Sequence, residues 1–165
     1  MTAPQTTPTE SSIRTDTATL AVFDAKRLEH RLHYDADWWS IPDDEVAEIN
    51  AGNVLFVSTG VDGDYLLNVY RESPPENVLS IALTALIRCE SGSLFFHAGE
   101  YVPSGDLMPD TKYCGLQLTF GIGTYRVTVV HLVPFCLDIF VVPSDDEAIN
   151  DFTDSPAVSW PDEDK

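Results

Sequence analysis

The sequence predicts an all-β fold: a mostly antiparallel β-sandwich of about nine strands with one short helix. Three observations carry this. Short apolar runs rich in β-branched and aromatic residues recur along the chain. Turn signals separate them at close intervals, at Asp62-Gly63, Pro74-Pro75, Ser91-Gly92-Ser93 and Gly121-Ile122-Gly123. A single segment, Ser40 to Glu45, carries a helix-start pattern instead.

Taken in order, residues 1–14 are rich in Thr, Ser and Pro and read as a disordered lead-in. Thr17–Phe23 is an apolar, β-branched run. Arg27–Tyr34 alternates Leu28, His30, Leu32 and Tyr34 with polar neighbours, as a half-buried strand does. Then comes the helix, expected over Pro42–Asn50. Ser40 is placed to cap it, Pro42 sits in the first turn, and Asp43, Asp44 and Glu45 favour the positive end of the helix dipole. Gly52 closes it. Asn53–Thr59 and Asp64–Tyr70 flank an Asp-Gly turn and read as a hairpin. Val78–Arg88 reads as a long strand. Ser93–His97, Tyr113–Phe120, Tyr125–Leu132 and Phe135–Val142 complete the set. The body is thus one domain over residues 15–143. The stretch 144–165 is an acidic tail that Phe152, Val158 and Trp160 would dock if it docks at all.

Charge is the outlier. The 165 residues hold 27 acids against 9 Lys and Arg, net -18. Residues 15–143 carry 18 acids and 7 bases, and residues 144–165 carry eight acids and Lys165. The body is therefore acidic in its own right. Nucleic acid and anionic lipid both require a basic surface, so neither is expected as a partner. A basic protein partner or salt adaptation would each account for the surplus. The N-terminal residues have no basic and apolar signal pattern, and the longest apolar run, Val127 to Val142, is broken by His131, Pro134 and Asp138. A soluble cytoplasmic protein is expected. Cys89, Cys114 and Cys136, an odd number, read as free thiols.

Few motifs carry chemistry. His97, Glu100 and His131 are the best metal candidates and define the alternative reading: a metal-dependent or sugar-binding sandwich or cupin-like protein. Residues 97 and 100 of a strand face opposite ways, which weighs against it. Cys114 lacks a nucleophile signature. Asp62-Gly63-Asp64 lacks the remaining ligands of a calcium loop. Gly121-Ile122-Gly123 is followed by a strand, not a helix, so it is no dinucleotide fingerprint. No catalytic residue, no metal and no cofactor are expected.

The most unusual segment is Asp35 to Glu48. Six acids, Asp35, Asp37, Asp43, Asp44, Glu45 and Glu48, surround Trp38 and Trp39. Packing of both rings against the sheet is the plainer reading. An aromatic anchor with an acidic rim is the functional one, and it would fit an Arg- or Lys-rich partner. These eight residues are the partner-binding candidates.

Phe23-Asp24, Asp37-Trp38-Trp39-Ser40 with Glu45 and Glu48, Gly52-Asn53 and Asp62-Gly63-Asp64-Tyr65 resemble small acidic bacterial proteins of an uncharacterised immunity type. Leu118, followed by Gly123-Thr124-Tyr125-Arg126-Val127, resembles the closing strands of the competence nuclease inhibitors. That second resemblance implies a β-sandwich. Together they imply a non-enzymatic inhibitor of a toxin or nuclease, with no catalytic residues to transfer.

Overall fold

In the computed structural model, which describes residues 7–35 and 37–161, nine strands form two sheets. The strands are β1 Thr9–Thr15, β2 Thr19–Phe23, β3 Val54–Ser58, β4 Gly63–Tyr70, β5 Leu83–Cys89, β6 Ser93–Ala98, β7 Leu116–Thr119, β8 Gly123–Val133 and β9 Cys136–Ser144. The five-stranded sheet has the order β1-β4-β9-β8-β5 and the four-stranded sheet the order β3-β2-β6-β7. The β4–β9 pair is parallel. Every other pairing between these nine strands is antiparallel.

The two sheets differ in how their sequences read, because they are buried differently. The five-stranded sheet gives one face to the core, and part of its other face, at Val130 and Phe140, is covered by Val78. In β4, Tyr65, Leu67 and Val69 point inward while Asp64 and Leu66 face solvent, so the strand alternates. The four-stranded sheet is covered on both faces. Leu20, Val22, Leu55, Val57, Leu94 and Phe96 meet the opposite sheet. Ala21, Phe23, Val54, Phe56 and Phe95 meet a helical layer containing Leu28, Trp38 and Ile49. Its strands β2, β3 and β6 therefore contain uninterrupted apolar runs, such as Val54–Val57 and Leu94–Phe96, whereas the edge strand β7 alternates.

The helical layer holds the helix α1, Pro42–Asn50, as expected. Its cap differs. Ile41 occupies the N-cap position, and the Ser40 hydroxyl instead donates to the Asp37 carbonyl at 2.7 Å. Gly52 follows with φ +73°, and a Cβ there would collide with the Ala148 backbone. The expected strand over Arg27–Tyr34 is a correction: residues 25–31 form a 3-10 helix. Asp24 starts it by accepting the Lys26 amide, and only Leu28 of its apolar residues is fully buried.

Two further corrections concern a connection and a strand. Asp62-Gly63 does not turn a hairpin, since β3 and β4 lie in different sheets. The Gly121–Gly123 turn joins two strands, as expected, and carries the chain from one sheet to the other. Of the expected long strand Val78–Arg88, residues 78–81 belong to a 3-10 helix, Glu76–Ile81, that follows Pro75, and β5 begins only at Leu83. The lead-in also shrinks. Its residues 9–14 belong to β1, an edge strand with Ile13 and Thr15 turned into the core. Residues 1–6 of that reading lie outside the described residues.

Among the described residues no helix is long and apolar enough to cross a membrane.

Candidate functional site

The acidic segment and its tryptophans sit on the helical layer. Arg31 organises them. Its Nε donates to Glu48 Oε1 at 3.0 Å, its Nη1 lies 3.5 Å from Asp44, and its guanidinium carbon stands 4.8 Å from the Trp38 ring centre and 5.0 Å from that of Tyr34. Glu48 also takes His30 Nε2 at 2.6 Å and Asn53 Nδ2 at 2.7 Å. Burial alone would raise the Glu48 carboxyl. The bonds from Asn53, His30 and Arg31 outweigh it and hold that carboxyl below the usual range. The set continues through Arg27, which joins Asn53 Oδ1 at 2.8 Å to Glu90 at 2.7 Å.

Of the eight candidates, two are interior. Trp38 is 2% exposed, packs edge-on against Phe56, and donates its indole N–H to the Pro103 carbonyl at 2.9 Å. Glu48 is 6% exposed and closed within its ionic set. Neither presents a contact surface, and both instead hold the segment in place. Trp39 is half-buried against the same apolar cluster. Asp44 is half-exposed beside Arg31. Glu45 is half-exposed, and burial raises its carboxyl despite a bond from Ser155. Asp35, Asp37 and Asp43 are exposed. Ala36, between the first two, lies outside the described residues.

The tail docks onto this same layer. Asn50 and Phe152 exchange bonds: Asn50 Nδ2 donates to the Phe152 carbonyl at 2.9 Å, and the Phe152 amide donates to Asn50 Oδ1 at 2.8 Å. Asn150 bridges the end of α1 to β5, donating to the Ile49 and Leu86 carbonyls and accepting the Leu86 amide. Further on, Ala157 pairs with Ser58 at the edge of β3, and Val158 and Trp160 pack on the core. This path lays Asp154 and Ser155 opposite Asp43 and Val46, across a groove of about 620 Å³. Tail and helix acids thus share one face. The amides of Asn50 and Asn150 are the signal that would have located this contact.

The alternative metal set is not assembled. His97 is fully buried on β6; its Nδ1 accepts the Ala98 amide at 2.8 Å, so its Nε2 carries the proton and donates to the Asp110 carbonyl at 3.0 Å. Both nitrogens are occupied, so the ring is no base for Cys114. Glu100 accepts the Thr15 hydroxyl at 2.9 Å and the Asp16 amide at 2.8 Å. His131 lies apart, against Tyr65 and Trp160. Among the described residues no three His, Cys, Asp or Glu side chains converge as a metal site would require.

Fold and site together define a two-sheet β-sandwich, one sheet of which is capped by a short acidic helix and its docked tail. The chain belongs to the family of unknown function DUF6386, whose pattern matches residues 7–155. No curated protein matches it. Two solved structures share the fold. Crocagin biosynthetic gene J is 17% identical with a TM-score of 0.51, covering 84% of this chain and 96% of that one. ComJ from Bacillus subtilis, inhibitor of the DNA degrading activity of NucA, is 13% identical with a TM-score of 0.51, covering 86% of this chain and 100% of that one.

Proposed function

We propose that the protein is a non-enzymatic inhibitor of immunity type, acting in the cytoplasm by binding a basic toxin or nuclease. One observation carries the reading: the chain shares the fold of a nuclease inhibitor along that protein's whole length. The surface is in keeping with it. Asp35, Asp37 and Asp43 are exposed on the segment that carries the half-buried Trp39, and Asp154 shares the α1 groove with Asp43. Carboxylates at this density speed the approach of a cationic protein and complement a site built to hold phosphate.

The test pairs the purified chain with the product of the neighbouring reading frame. If that product degrades plasmid DNA, an equimolar amount of this chain is expected to protect the plasmid. If it poisons cells by other chemistry, co-expression is expected to restore growth. Undiminished activity at a molar excess of this chain refutes the reading.

A further inference from the structure

The acidic face needs an anchor, and Trp38 is too deeply buried to be one. The structure supplies another close by. Residues 104–107 make a two-residue hairpin: the Leu107 amide donates to the Ser104 carbonyl at 2.8 Å and the Ser104 amide returns to Leu107 at 3.2 Å. Both central residues have positive φ, 52° at Gly105 and 64° at Asp106, as the mirror-image turn demands. Asp106 is among the few non-glycine residues that tolerate this conformation, and its surroundings hold it there.

What fixes it are residues 32–34 and Trp38. The Asp106 amide donates to the Leu32 carbonyl and the Gly105 amide to the Tyr34 carbonyl, both at 2.8 Å. His33 Nδ1 meets the Asp106 carboxyl at 2.6 Å, and the Trp38 indole holds Pro103 just before the turn. The hairpin tip and residues 32–34 therefore form one rigid stretch of surface. On it stand two large apolar side chains, Tyr34 at 53% exposure and Leu107 at 73%. Asp106 is part of the same stretch, and Asp35 and Asp37 continue its chain, all three exposed.

Resting on the inhibitor reading, we propose that Tyr34 and Leu107 form the apolar anchor of the interface, inserting into a pocket of the basic partner while Asp35, Asp37 and Asp106 meet the cations around it. Charge complementarity selects the occupant: apolar anchors rimmed by carboxylates, on a chain of net charge -18, disfavour a second copy of the same chain and favour a cationic protein. Preorganisation serves affinity here, because the turn is already held and little is lost by ordering it on binding. Trp38 acts as a positioning residue, fastening the hairpin without touching the partner.

A photocrosslinking residue is placed at position 34, 107 or 43 of the full chain, one at a time, and the chain is expressed in its own host. The expected result is a crosslink from 34 and 107 to one basic protein. With that protein purified, Tyr34→Ala and Leu107→Ala each weaken its binding, Tyr34→Ala by at least about tenfold. Ile122→Ala, at an equally exposed apolar position on the β7–β8 turn, leaves binding unchanged. A crosslink from 43 alone overturns the anchor and leaves the inhibitor reading standing. Crosslinks only between copies of this chain, or none from any position, overturn both. Full-strength binding by Tyr34→Ala and Leu107→Ala also overturns the anchor.

Discussion

Replacing His131 with Phe should stabilise the protein and flatten its response to acid. His131 lies on β8, 5% exposed, with neither ring nitrogen hydrogen-bonded. Its neighbours are aromatic: Tyr65 at 6.0 Å between ring centres and Trp160 at 4.8 Å, edge to face. The Tyr65 hydroxyl is engaged by the Val61 carbonyl and so does not serve the imidazole. An unmet buried polar group costs about 1–3 kcal/mol, and a phenyl ring, larger by one ring atom, carries none. At pH 7.5 the variant should gain about that much, or roughly 3–8 °C in Tm for a chain of this size. Burial holds the His131 ring below the usual histidine range. The unfolded ring then binds a proton before the folded one does, so stability is lost as pH falls below about 6.5, by up to about 1.4 kcal/mol per pH unit. His97, also lowered by burial, adds a slope of the same sign. Burial raises the Glu45 and Asp138 carboxyls, which act in the opposite sense, but both remain in the variant and cancel from the comparison. Urea unfolding at pH 7.5, 6.5 and 5.5 reads the difference. A variant less stable at pH 7.5, or one with the wild-type slope between 6.5 and 5.5, refutes the reasoning.

Two glycines share a backbone conformation and differ in room. Gly115, φ +86°, faces the His97 ring where a Cβ would fall, whereas Gly60, φ +84°, has nothing within 4 Å. Gly115→Ala should cost about 3 kcal/mol or more and Gly60→Ala about 1, so equal losses in urea unfolding would contradict the assigned packing. Deleting residues 156–165 removes Val158 and Trp160 from the core and uncovers the β3 edge. A loss of about 2–4 kcal/mol is expected, and an unchanged urea midpoint would mean the tail does not dock. The triple reversal Asp35→Lys, Asp37→Lys, Asp43→Lys leaves the Arg31 set untouched. It should preserve Tm and slow partner association about fivefold to tenfold at 0.15 M salt, with little effect at 1 M, as stopped-flow measurement would show.

The sandwich was legible because strands and helix obey different periods. Helix α1 matches residue for residue, since Pro42 and three acids mark its start and Gly52 its end. Strand identity failed where composition misled. Thr9–Thr15 carries only Ile13 as an apolar residue, so nothing in its pattern separates an edge strand from a lead-in. Arg27–Tyr34 alternates like a strand, yet Asp24 turns the chain into a 3-10 helix and also accepts the Glu90 amide at 2.6 Å and the Ser91 amide at 2.7 Å. That long-range role of a single carboxylate has no local signature. Sheet membership was illegible for a similar reason. Asp-Gly specifies a tight turn, while whether its strands pair depends on which core each must reach. At the site, the acidic segment was visible in the sequence but its division of labour was not. The pairing of Arg31 with Glu48 spans 17 residues and brings a 3-10 helix against α1. Gly105-Asp106 is a turn signal that, weighed with Tyr34, would have pointed to the hairpin.

The large negative charge and the specificity of binding belong to different residues. Several acids are consumed by the fold. Asp24 accepts two backbone amides and a hydroxyl from residues 90 and 91, and Glu100 accepts two threonine hydroxyls and an amide. Their donors are neutral, so nothing cancels their formal charge, whereas Glu48 is offset by Arg31. Such tied carboxylates strengthen the long-range field, while Asp24, 1% exposed, offers no surface to touch. A cationic protein is drawn equally by any face that shares this field. Discrimination between one basic partner and another must then come from short-range shape, which charge alone does not supply. On the acidic face the shape we propose is that of Tyr34 and Leu107, where exposed apolar side chains stand on a fixed turn. Reversing surface acids should accordingly change how fast a partner arrives, and truncating the ridge how long it stays.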